Sequence, residues 1–213
     1  MSNENEFIVD NNYVRIGITG GTFDPIHHGH LIIAEDIREK FNLNKVVFIP
    51  SGSPPHKDNN RVTSSEHRLN MVKRAISDNP FFEASTIEID RGGYTYTVDT
   101  LQQLRSLYDE NTKLYFIVGA DVIMDLLTWR DYVRVFTLCE FIAAFRPGYN
   151  REGFENQIEM LREKFGAVIH PVETPLVDVS STQIRQRISS NKSIKYLVPE
   201  TVERYIIDNG LYV

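Results

Sequence analysis

The sequence predicts an α/β fold, in which a Rossmann-like, doubly wound parallel sheet carries a small C-terminal helical extension. Three observations predict it. Short apolar runs of strand composition alternate with segments of helical periodicity along the chain. The runs are short and almost wholly apolar, which is typical of strands buried on both faces of a parallel sheet. Glycine or proline follows most of these runs, which indicates abrupt exits from the sheet.

Six segments have the composition of strands. We predict strands at 13–19, 45–49, 82–89, 114–118, 141–145 and 168–169. The segments beyond four of these strands begin at Gly20, Pro50, Gly119 and Arg146. Ligands of such sheets bind beyond the carboxyl ends of the strands, at the point where the strand order reverses. The functional site is therefore expected at these four exits.

Six further segments have the pattern of helices. We predict helices at 31–41, 66–76, 97–108, 152–165, 181–188 and 199–209. In the first, Leu31 and Ile37 fall on the same side, and Ser64 or Ser65 can cap the second. The last is expected to end at Gly210, because glycine readily adopts the left-handed conformation that closes many helices.

Length and composition are those of a globular protein. The chain has 213 residues, of which 41% are hydrophobic and 24% charged, and we predict one domain over residues 13–213 after a flexible tail at residues 1–12. The single cysteine, Cys139, excludes an internal disulfide and fits a reducing compartment, so we predict a cytoplasmic location. Cys139 lies in the apolar run 138–145 and is expected to be a buried structural thiol.

Charge and hydropathy exclude two classes of partner. The formal net charge is −6, and an acidic protein attracts neither nucleic acid nor an anionic membrane surface. No apolar stretch approaches the roughly 20 residues that a membrane span needs. Residues 1–6 lack the basic start of a signal peptide. Any phosphate site must then be locally positive.

The segment after the first predicted strand, from Gly20 to His30, has the composition of a phosphate-binding site. Gly20 and Gly21 let backbone amides approach a ligand closely, and the helix that follows offers unpaired N–H groups and a partial positive charge. His27 and His30 share a face if they lie in the first helical turn, and Gly29 between them leaves space for a bulky group. Two imidazoles aimed at one phosphate can donate hydrogen bonds to developing negative charge. The segment contains neither a Walker loop nor the dinucleotide fingerprint.

This segment resembles the GGxFxPxHxGH signature of the nucleotidyltransferase superfamily. Residues 179–185, with the sequence VSSTQIR, resemble a second signature of that superfamily, SSTxIR. The resemblance implies that the two histidines contact the α-phosphate of ATP. It also implies that hydroxyls and amides at a helix start, together with Arg185, hold the β- and γ-phosphates. The residues themselves agree, because Ser181 and Thr182 are good N-cap residues and the arginine follows within one turn.

Five segments between the two signatures narrow the family. They are residues 54–57, 92–101, 119–121, Trp129 and 146–148. Together with the end motifs they resemble bacterial nicotinate-mononucleotide adenylyltransferases, from about residue 13 to the C-terminus. The resemblance implies that ATP and nicotinate mononucleotide react to give deamido-NAD and pyrophosphate, in NAD biosynthesis. The nucleophile is then a phosphate monoester, which needs no general base because its second pKa is about 6.

The family resemblance also implies a role for individual residues. The catalytic residues are His27, His30 and Arg185. The residues that bind ATP or its phosphates are Gly21, Thr22, Phe23, Lys57, Gly119, Arg146, Ser181 and Thr182. The residues that bind the pyridine nucleotide are Thr95, Tyr96 and Thr97 at the carboxylate, Asp121 at a ribose hydroxyl and Trp129 on the ring. Mg²⁺ is expected to arrive with ATP, and no residue is assigned to a metal.

Several of these residues have simpler interpretations. Three histidines within four positions could form a metal site, but His27 and His28 cannot easily face one ion, and no fourth ligand stands close in the sequence. Without the resemblance, Trp129 is more often a core residue than a stacking surface. Ser181 and Thr182 could be ordinary helix caps.

Other functions stay open on the sequence alone. Phosphopantetheine adenylyltransferases resemble the chain at the first signature but are shorter and lack the segment 92–101, and cytidylyltransferases are shorter still. An adenylyltransferase for the amide, nicotinamide mononucleotide, differs only in the groups that face one substituent. The intact motifs disfavour a non-catalytic nucleotide sensor, and the absence of GxGxxG disfavours an NAD-dependent oxidoreductase. The oligomeric state is not predicted.

Overall fold

The described part of the chain forms a six-stranded parallel sheet flanked by helices. The structure is a computed structural model that describes residues 14–53, 62–148 and 151–213. The elements in chain order are β1 (Arg15–Gly21), α1 (His28–Lys40), β2 (Lys45–Pro50), α2 (Ser65–Ala75), β3 (Phe82–Ala84), α3 (Ile87–Arg91), α4 (Thr97–Leu107), β4 (Lys113–Gly119), α5 (Ala120–Asp125), α6 (Tyr132–Leu138), β5 (Glu140–Phe145), α7 (Arg151–Phe165), β6 (Ile169–Glu173), α8 (Ser181–Ser189) and α9 (Glu200–Asp208). The predicted tail at residues 1–12 and Lys57 lie outside the described residues, so the division into a tail and one domain stays a prediction.

The strand order is β3-β2-β1-β4-β5-β6, and every neighbouring pair is parallel. The chain builds outward from β1 to β3, crosses back, and builds outward again from β4 to β6. This reversal places β1 beside β4, with Ile18 opposite Phe116, and opens a crevice beyond their carboxyl ends. The predicted Rossmann-like, doubly wound parallel sheet is therefore confirmed.

Successive residues of each strand point into two cores, one on each face of the sheet. In β4, Phe116 belongs to one core, whereas Tyr115 and Ile117 belong to the other. Helices α4 to α7 cover the first core, and helices α1, α2, α8 and α9 cover the second. Cys139 is buried in the first core, where burial raises the pKa of its thiol well above the usual range. The prediction of a buried structural thiol is thus confirmed.

One predicted strand, at residues 82–89, was wrong over its second half. β3 has only three residues, and residues 87–91 form helix α3. The Oγ of Ser85 accepts a hydrogen bond from the N–H of Ile87 at 3.3 Å, and the hydroxyl of Thr86 donates to Asp90 at 2.5 Å. Local side-chain hydrogen bonds of this kind favour a helix start over continued strand pairing. Here they outweigh the β-type composition of the segment.

Two short helices, α5 and α6, were not expected from the sequence. They have six and seven residues, which is too few for a clear helical period. The C-terminal extension is confirmed as α8 and α9, and α9 packs on α2, where the hydroxyl of Thr201 donates to the carbonyl of Arg74 at 3.0 Å. None of the helices in the described ranges has both the length and the apolar composition needed to cross a membrane.

Candidate active site

A cavity of about 710 Å³ lies at the carboxyl ends of β1, β4 and β5, where the strand order reverses. Its volume is typical of sites for small-molecule ligands. Residues from all four predicted exits line it, among them Gly20, Ser51, Gly119 and Arg146. The cavity therefore lies where the strand exits predicted it.

The cavity is lined both by residues predicted to bind ATP and by residues predicted to bind the pyridine nucleotide. The predicted residues that line it are Gly21, Thr22, His30, Thr95, Thr97, Gly119, Asp121, Trp129 and Arg146. The other predicted residues in the described ranges do not line it; they are Phe23, His27, Tyr96, Ser181, Thr182 and Arg185. Lining residues that the sequence did not single out include Thr19, Ser51, Glu88 and Thr174.

His27 and His30 form one unit at the start of α1. His27 is the N-cap residue, and its ring stacks on that of His30 with centroids 3.7 Å apart and an interplanar angle of 27°. The backbone N–H of His27 donates a hydrogen bond to Nδ1 of His30 at 3.2 Å. Because Nδ1 is the acceptor, the neutral ring carries its proton on Nε2, which is left as a donor. The two histidines thus share a face, as their spacing predicted.

Both histidines are neutral near pH 7. Burial, followed by the charge of His28, lowers the pKa of His27 to about 4. Burial, followed by the charge of His27, lowers the pKa of His30 to about 3. Desolvation disfavours the charged form of an imidazole, and an adjacent imidazole adds repulsion between the two charged forms. The pair can therefore stabilise an anion by donating hydrogen bonds, and does not do so as a fixed positive charge.

Gly29 makes room for His27, and not for a ligand. A Cβ at this position would lie 3.0 Å from Nδ1 and 3.1 Å from Cε1 of the His27 ring. His27 is 6% exposed, and its Nδ1 has no hydrogen-bond partner within the described ranges. The expectation that Gly29 leaves space for a bulky group is therefore corrected, since that group is the neighbouring imidazole.

Phe23 supports the histidine pair through its side chain. Its backbone adopts the left-handed conformation with φ of 49°, and its ring is buried. The ring meets that of His30 in an edge-to-face arrangement with centroids 5.1 Å apart. The side chain thus fixes the loop around the histidines, while the predicted backbone contact of Phe23 to phosphate stays a prediction.

The second signature is joined to the first by hydrogen bonds. The hydroxyl of Ser181 donates to the carbonyl of Pro25 at 2.8 Å, and Nη1 of Arg185 donates to the carbonyl of Asp24 at 2.7 Å. Nη2 of Arg185 also donates to the hydroxyl of Thr182 at 3.2 Å. The structure therefore places the two signatures, which lie at opposite ends of the sequence, in direct contact.

The cap of α8 lies one residue earlier than expected. The hydroxyl of Ser180 accepts a hydrogen bond from the N–H of Gln183 at 3.2 Å, which is the typical N-cap contact. The interpretation of Ser181 and Thr182 as the helix caps was therefore wrong. Their hydroxyls make the contacts to Pro25 and Arg185 instead.

Arg68 is a buried cation that the sequence-based prediction missed. It is 1% exposed. Its guanidinium donates to the carbonyl oxygens of Thr63, Thr22, Ser51 and Gly52 at 2.8, 2.8, 2.6 and 3.1 Å. Burial lowers the pKa of this guanidinium, and the nearby charge of Asp24 acts in the opposite direction. One side chain thereby links the loops that follow β1 and β2 to the segment that precedes α2.

Asp24 ties the loop after β1 to the segment after α9. Its buried carboxylate accepts hydrogen bonds from the hydroxyl of Tyr212 at 2.6 Å and from the N–H of Thr63 at 3.3 Å. Burial, followed by the hydrogen bond to Asp24, raises the pKa of Tyr212, so its hydroxyl stays a donor. The loop is therefore held by Arg68, by α8 and by Tyr212.

Trp129 stands at the boundary between the core and the cavity. It lines the cavity and is partly buried. Its ring packs edge-to-face on Phe116, with centroids 6.0 Å apart, and tilts against Phe141 at 6.4 Å. The core interpretation and the stacking interpretation of Trp129 are therefore compatible, because one side of the residue contacts the core while the residue also lines the cavity.

Only two of the three residues in the segment Thr95–Thr97 line the cavity. Thr95 and Thr97 line the cavity, and Thr97 is the first residue of α4. The ring of Tyr96 instead lies under the guanidinium of Arg130, 4.6 Å from it. Since the first N–H groups of a helix have no partner within it, the start of α4 suits a carboxylate.

Two charged residues of the predicted site also line the cavity. Asp121 lies in the first turn of α5, and Arg146 directly follows β5. Arg146 is 3.5 Å from the carboxylate of Asp178, but both side chains are largely exposed, so this pair contributes little stability. Arg146 is thus a cation that an anionic ligand can engage without breaking a strong ion pair.

Residues 18–187 match the family model Cytidylyltransferase-like. The match begins in β1 and ends in α8, so it contains both signatures. A solved structure of Plasmodium falciparum nicotinic acid mononucleotide adenylyltransferase complexed with NaAD shares the fold, with a TM-score of 0.77, 22% identity, and coverage of 94% of this chain and 98% of that chain. A structure of the same enzyme complexed with APC has a TM-score of 0.75 at 22% identity, with the same coverage. Fold and signatures thus define the cytidylyltransferase-like class.

Curated relatives named "Probable nicotinate-nucleotide adenylyltransferase" are far more similar in sequence. One from Thermoanaerobacter sp. (strain X514) is 49% identical over 199 residues, which cover 93% of this chain and 94% of that protein. One from Moorella thermoacetica is 50% identical over 198 residues, which cover 93% and 91%. The chain belongs to the nicotinate-nucleotide adenylyltransferase family. The family that the motifs predicted is therefore confirmed.

Proposed function

We propose that this protein transfers the adenylyl group of ATP to nicotinate mononucleotide, giving deamido-NAD and pyrophosphate, in NAD biosynthesis. One observation carries the proposal: a single cavity joins the histidine-bearing loop after β1 to the region of Thr97 and Trp129. The first region offers hydrogen-bond donors for phosphate, and the second offers an aromatic ring beside a helix N-terminus. Two nucleotides can thus meet in one space, and holding both reactants together is itself a large part of catalysis.

The proposed reaction joins two phosphates. A bond forms between an oxygen of the mononucleotide phosphate and the α-phosphorus of ATP, while the bond from that phosphorus to the bridging oxygen of pyrophosphate breaks. The attacking phosphate is mostly dianionic at pH 7, because its second pKa is about 6, so no side chain has to remove a proton. The protein then has to position the reactants and stabilise charge on the α-phosphate and the leaving group.

His30 is proposed to donate the hydrogen bond to the α-phosphate. It lines the cavity, and its Nδ1 is occupied by the N–H of His27, so Nε2–H is the free donor. His27 orients and packs His30, and its Nε2 is proposed to complete the contact when ATP is bound. The backbone of Gly21, Thr22 and Phe23 is proposed to contact the phosphates at the N-terminal end of α1, which favours negative charge.

The leaving pyrophosphate is assigned to the second signature. Ser181, Thr182 and Arg185 lie at the start of α8, next to the loop that carries the histidines. A guanidinium has five N–H donors, so Arg185 retains donors for phosphate beyond its bonds to Asp24 and Thr182. Further ATP contacts are assigned to Lys57, Gly119 and Arg146.

The pyridine mononucleotide is assigned to the region of α4 and Trp129. The ring of Trp129 is proposed to stack on the pyridine, and the start of α4 with the Thr97 hydroxyl is proposed to bind the carboxylate. Tyr96 is proposed to contribute through its backbone, since its ring packs under Arg130. Thr95 is proposed to line the site, while its N–H donates to the carbonyl of Ser53. Asp121 is proposed to accept a hydrogen bond from a ribose hydroxyl.

Mg²⁺ is proposed to enter with ATP. In the described ranges, no three His, Cys, Asp or Glu side chains are grouped to hold a metal ion. Mg²⁺ commonly binds phosphates and water with only one or two protein carboxylates, so the phosphates of ATP suffice and no protein ligand is assigned. When bound, the ion would neutralise charge on the phosphates. A cytoplasmic location stays a prediction from the single cysteine.

The test is pyrophosphate release with MgATP and either nicotinate mononucleotide or nicotinamide mononucleotide. Release with the acid at least about 100-fold faster than with the amide supports the proposal, because sites built for one charged group discriminate strongly. A preference for the amide would keep the transfer and overturn the substrate. No release with either mononucleotide would refute the activity. The His30→Ala variant, run in parallel, shows whether the release arises from this cavity.

A further inference from the structure

Glu88 is a carboxylate in the cavity that no signature contains. It lies on α3, the short helix where the sequence predicted a strand, and it lines the same cavity as Thr95, Thr97 and Trp129. Its Oε1 accepts a hydrogen bond from the hydroxyl of Thr100 at 2.7 Å. A carboxylate inside a cavity for anionic substrates repels those substrates. The hydrogen bonds that Glu88 makes to the protein therefore indicate its role.

The carboxylate of Glu88 reaches from α3 to α4, the helix that begins at Thr97. Burial raises the pKa of Glu88, while the hydrogen bond from the Thr100 hydroxyl and the charges of Arg91 and Arg68 oppose that shift. Thr100 lies in the first turns of α4, so the carboxylate joins α3 to α4. The hydroxyl of Thr95, just before α4, donates to the carbonyl of Ser53 at 3.3 Å.

Arg91 completes this arrangement from the end of α3. Its guanidinium donates to the hydroxyl of Thr100 at 3.0 Å, so that hydroxyl accepts from Arg91 and donates to Glu88. A hydroxyl has a single proton, and the 2.7 Å contact to the carboxylate is shorter than the 3.3 Å approach to the carbonyl of Tyr96. The proton is therefore directed to Glu88.

The backbone around Glu88 is closely packed. A Cβ on Gly52 would lie 2.6 Å from the carbonyl oxygen of Glu88, so the loop after β2 presses directly on α3. The carbonyl of Ser53 accepts a hydrogen bond from the N–H of Thr95 at 3.1 Å. Two loops and two helices thus meet at this point, and the Glu88 side chain lies between α3 and α4.

We infer that Glu88 is the positioning residue that sets the start of α4, through Thr100, for the pyridine mononucleotide. The inference rests on the proposed function, in which that segment binds the carboxylated ring. Loss of the Glu88 carboxylate removes the acceptor of the Thr100 hydroxyl, so the start of α4 loses its hydrogen bond to α3. The affinity for the mononucleotide then falls, while the histidine-bearing loop, which binds ATP, keeps its own hydrogen bonds to Arg185 and Tyr212.

The test compares Glu88→Ala, Glu88→Gln and Thr100→Val with the wild type, and measures the KM of each substrate separately. Glu88→Ala is expected to raise the KM of nicotinate mononucleotide roughly tenfold, the effect of losing one hydrogen bond to a charged group. The KM of ATP is expected to stay within about twofold of the wild-type value. Glu88→Gln is expected to recover most of the loss, because its amide oxygen still accepts from Thr100.

Two further variants separate positioning from general destabilisation. Adding Thr100→Val to Glu88→Ala is expected to raise the KM by no more than about twofold, because both changes remove the same contact. Glu140→Ala is the matched control, since Glu140 is a half-buried carboxylate that bonds His170 at 2.7 Å and does not line this cavity. It is expected to lower the thermal stability and leave both KM values unchanged.

The outcomes are distinct. Equal increases in both KM values, or a lower kcat with both KM values unchanged in a folded Glu88→Ala variant, would overturn the inference. If Glu88→Ala does not fold, Thr100→Val decides, and an unchanged KM for nicotinate mononucleotide in that variant overturns it as well. If the wild type itself releases no pyrophosphate with nicotinate mononucleotide, the proposed function fails, which this comparison distinguishes from a failure of the Glu88 role.

Discussion

The backbone N–H of His27 donates a hydrogen bond to Nδ1 of His30 at 3.2 Å, and the two rings stack at 3.7 Å. This contact determines which nitrogen of His30 carries the proton, and thus which nitrogen is the donor. It also makes the pair a single packed unit, since Gly29 leaves just enough space for the His27 ring. The chemistry proposed for the loop depends on this geometry and not on a positive charge.

His30→Ala is expected to lower kcat for pyrophosphate release by about 100-fold or more, the loss typical of removing one preorganised donor to a developing anion. The measurement is steady-state kinetics with both substrates saturating, together with a thermal melt that shows the variant is folded. His28→Ala is the control, because His28 neighbours the pair on α1 but is absent from the cavity lining. Comparable kcat values for His30→Ala and His28→Ala would remove His30 from the mechanism.

Acidification is expected to lower the free energy of unfolding between pH 6.5 and pH 4, through the buried histidines. The pKa of His27 is about 4 in the folded chain and 6.5 for a solvated histidine, as in the unfolded chain. Below pH 6.5 the unfolded chain therefore binds a proton that the folded chain does not. Stability is therefore full above pH 6.5 and falls as the pH drops, by up to about 1.4 kcal/mol per pH unit for each such proton. Urea unfolding between about pH 7 and pH 5 measures it. His27→Gln should show a shallower dependence, and an unchanged slope would contradict the assignment.

Arg68→Lys is expected to lower kcat/KM at least roughly tenfold, because an ammonium cannot reproduce four guanidinium contacts and the loops after β1 and β2 shift. Kinetics and a thermal melt are measured together. Arg105→Lys is the control, since Arg105 donates to the carbonyls of Leu138 and Thr112, which lie at the amino ends of β5 and β4, away from the cavity at the carboxyl ends. It should lose stability and keep its kcat/KM. Equal kinetic losses in both variants would mean that Arg68 only stabilises the fold.

Gly29→Ala is expected to lower kcat, because the new Cβ pushes the His27 ring out of its stack on His30. The size of the loss should approach that of His30→Ala if the stack positions His30. Gly153→Ala is the matched control in α7, where an added Cβ meets no atom within 4 Å; it should keep its activity and gain about 0.5–1 kcal/mol of stability. Wild-type kcat in Gly29→Ala would show that the stack is dispensable.

Nicotinate mononucleotide is expected to quench the intrinsic tryptophan fluorescence, because Trp129 is the sole tryptophan of the chain and lines the cavity. A titration with the mononucleotide, excited at the indole band, measures it and gives a Kd. ATP alone should change the signal much less, and Trp129→Phe provides the blank. A signal that responds to ATP and not to the mononucleotide would reverse the assignment of the two regions.

Much of the fold follows from local sequence, because short apolar runs bounded by glycine or proline are distinctive. β2, for example, was predicted at 45–49 and spans Lys45–Pro50. One exception is the segment that becomes β3 and α3, where the apolar composition favoured a strand and the hydroxyls of Ser85 and Thr86 decided the outcome. Composition alone does not show whether the strand preference of apolar residues or the local hydrogen bonds of serine and threonine will prevail.

The candidate site also has one part that the local sequence predicted and one part that it did not. The histidine pair could be predicted, because its spacing and its glycines act within a few residues. Arg68 could not, because its partners come from three separated segments and its role exists only in the folded chain. A signal was nevertheless present, since Arg68 stands on the apolar face of α2 with Met71 and Val72, where a charged residue needs buried partners.

The hydrogen bonds around Asp24 set an order of events during synthesis. Asp24 is synthesised early. The hydroxyl that donates to its carboxylate belongs to Tyr212, 188 residues later, and the guanidinium that donates to its carbonyl belongs to Arg185, 161 residues later. The strands and most helices are complete before these partners exist. A nascent chain can therefore assemble its sheet well before the loop has its final shape, and ATP binding should appear only after the segment containing Tyr212 has been translated and has docked.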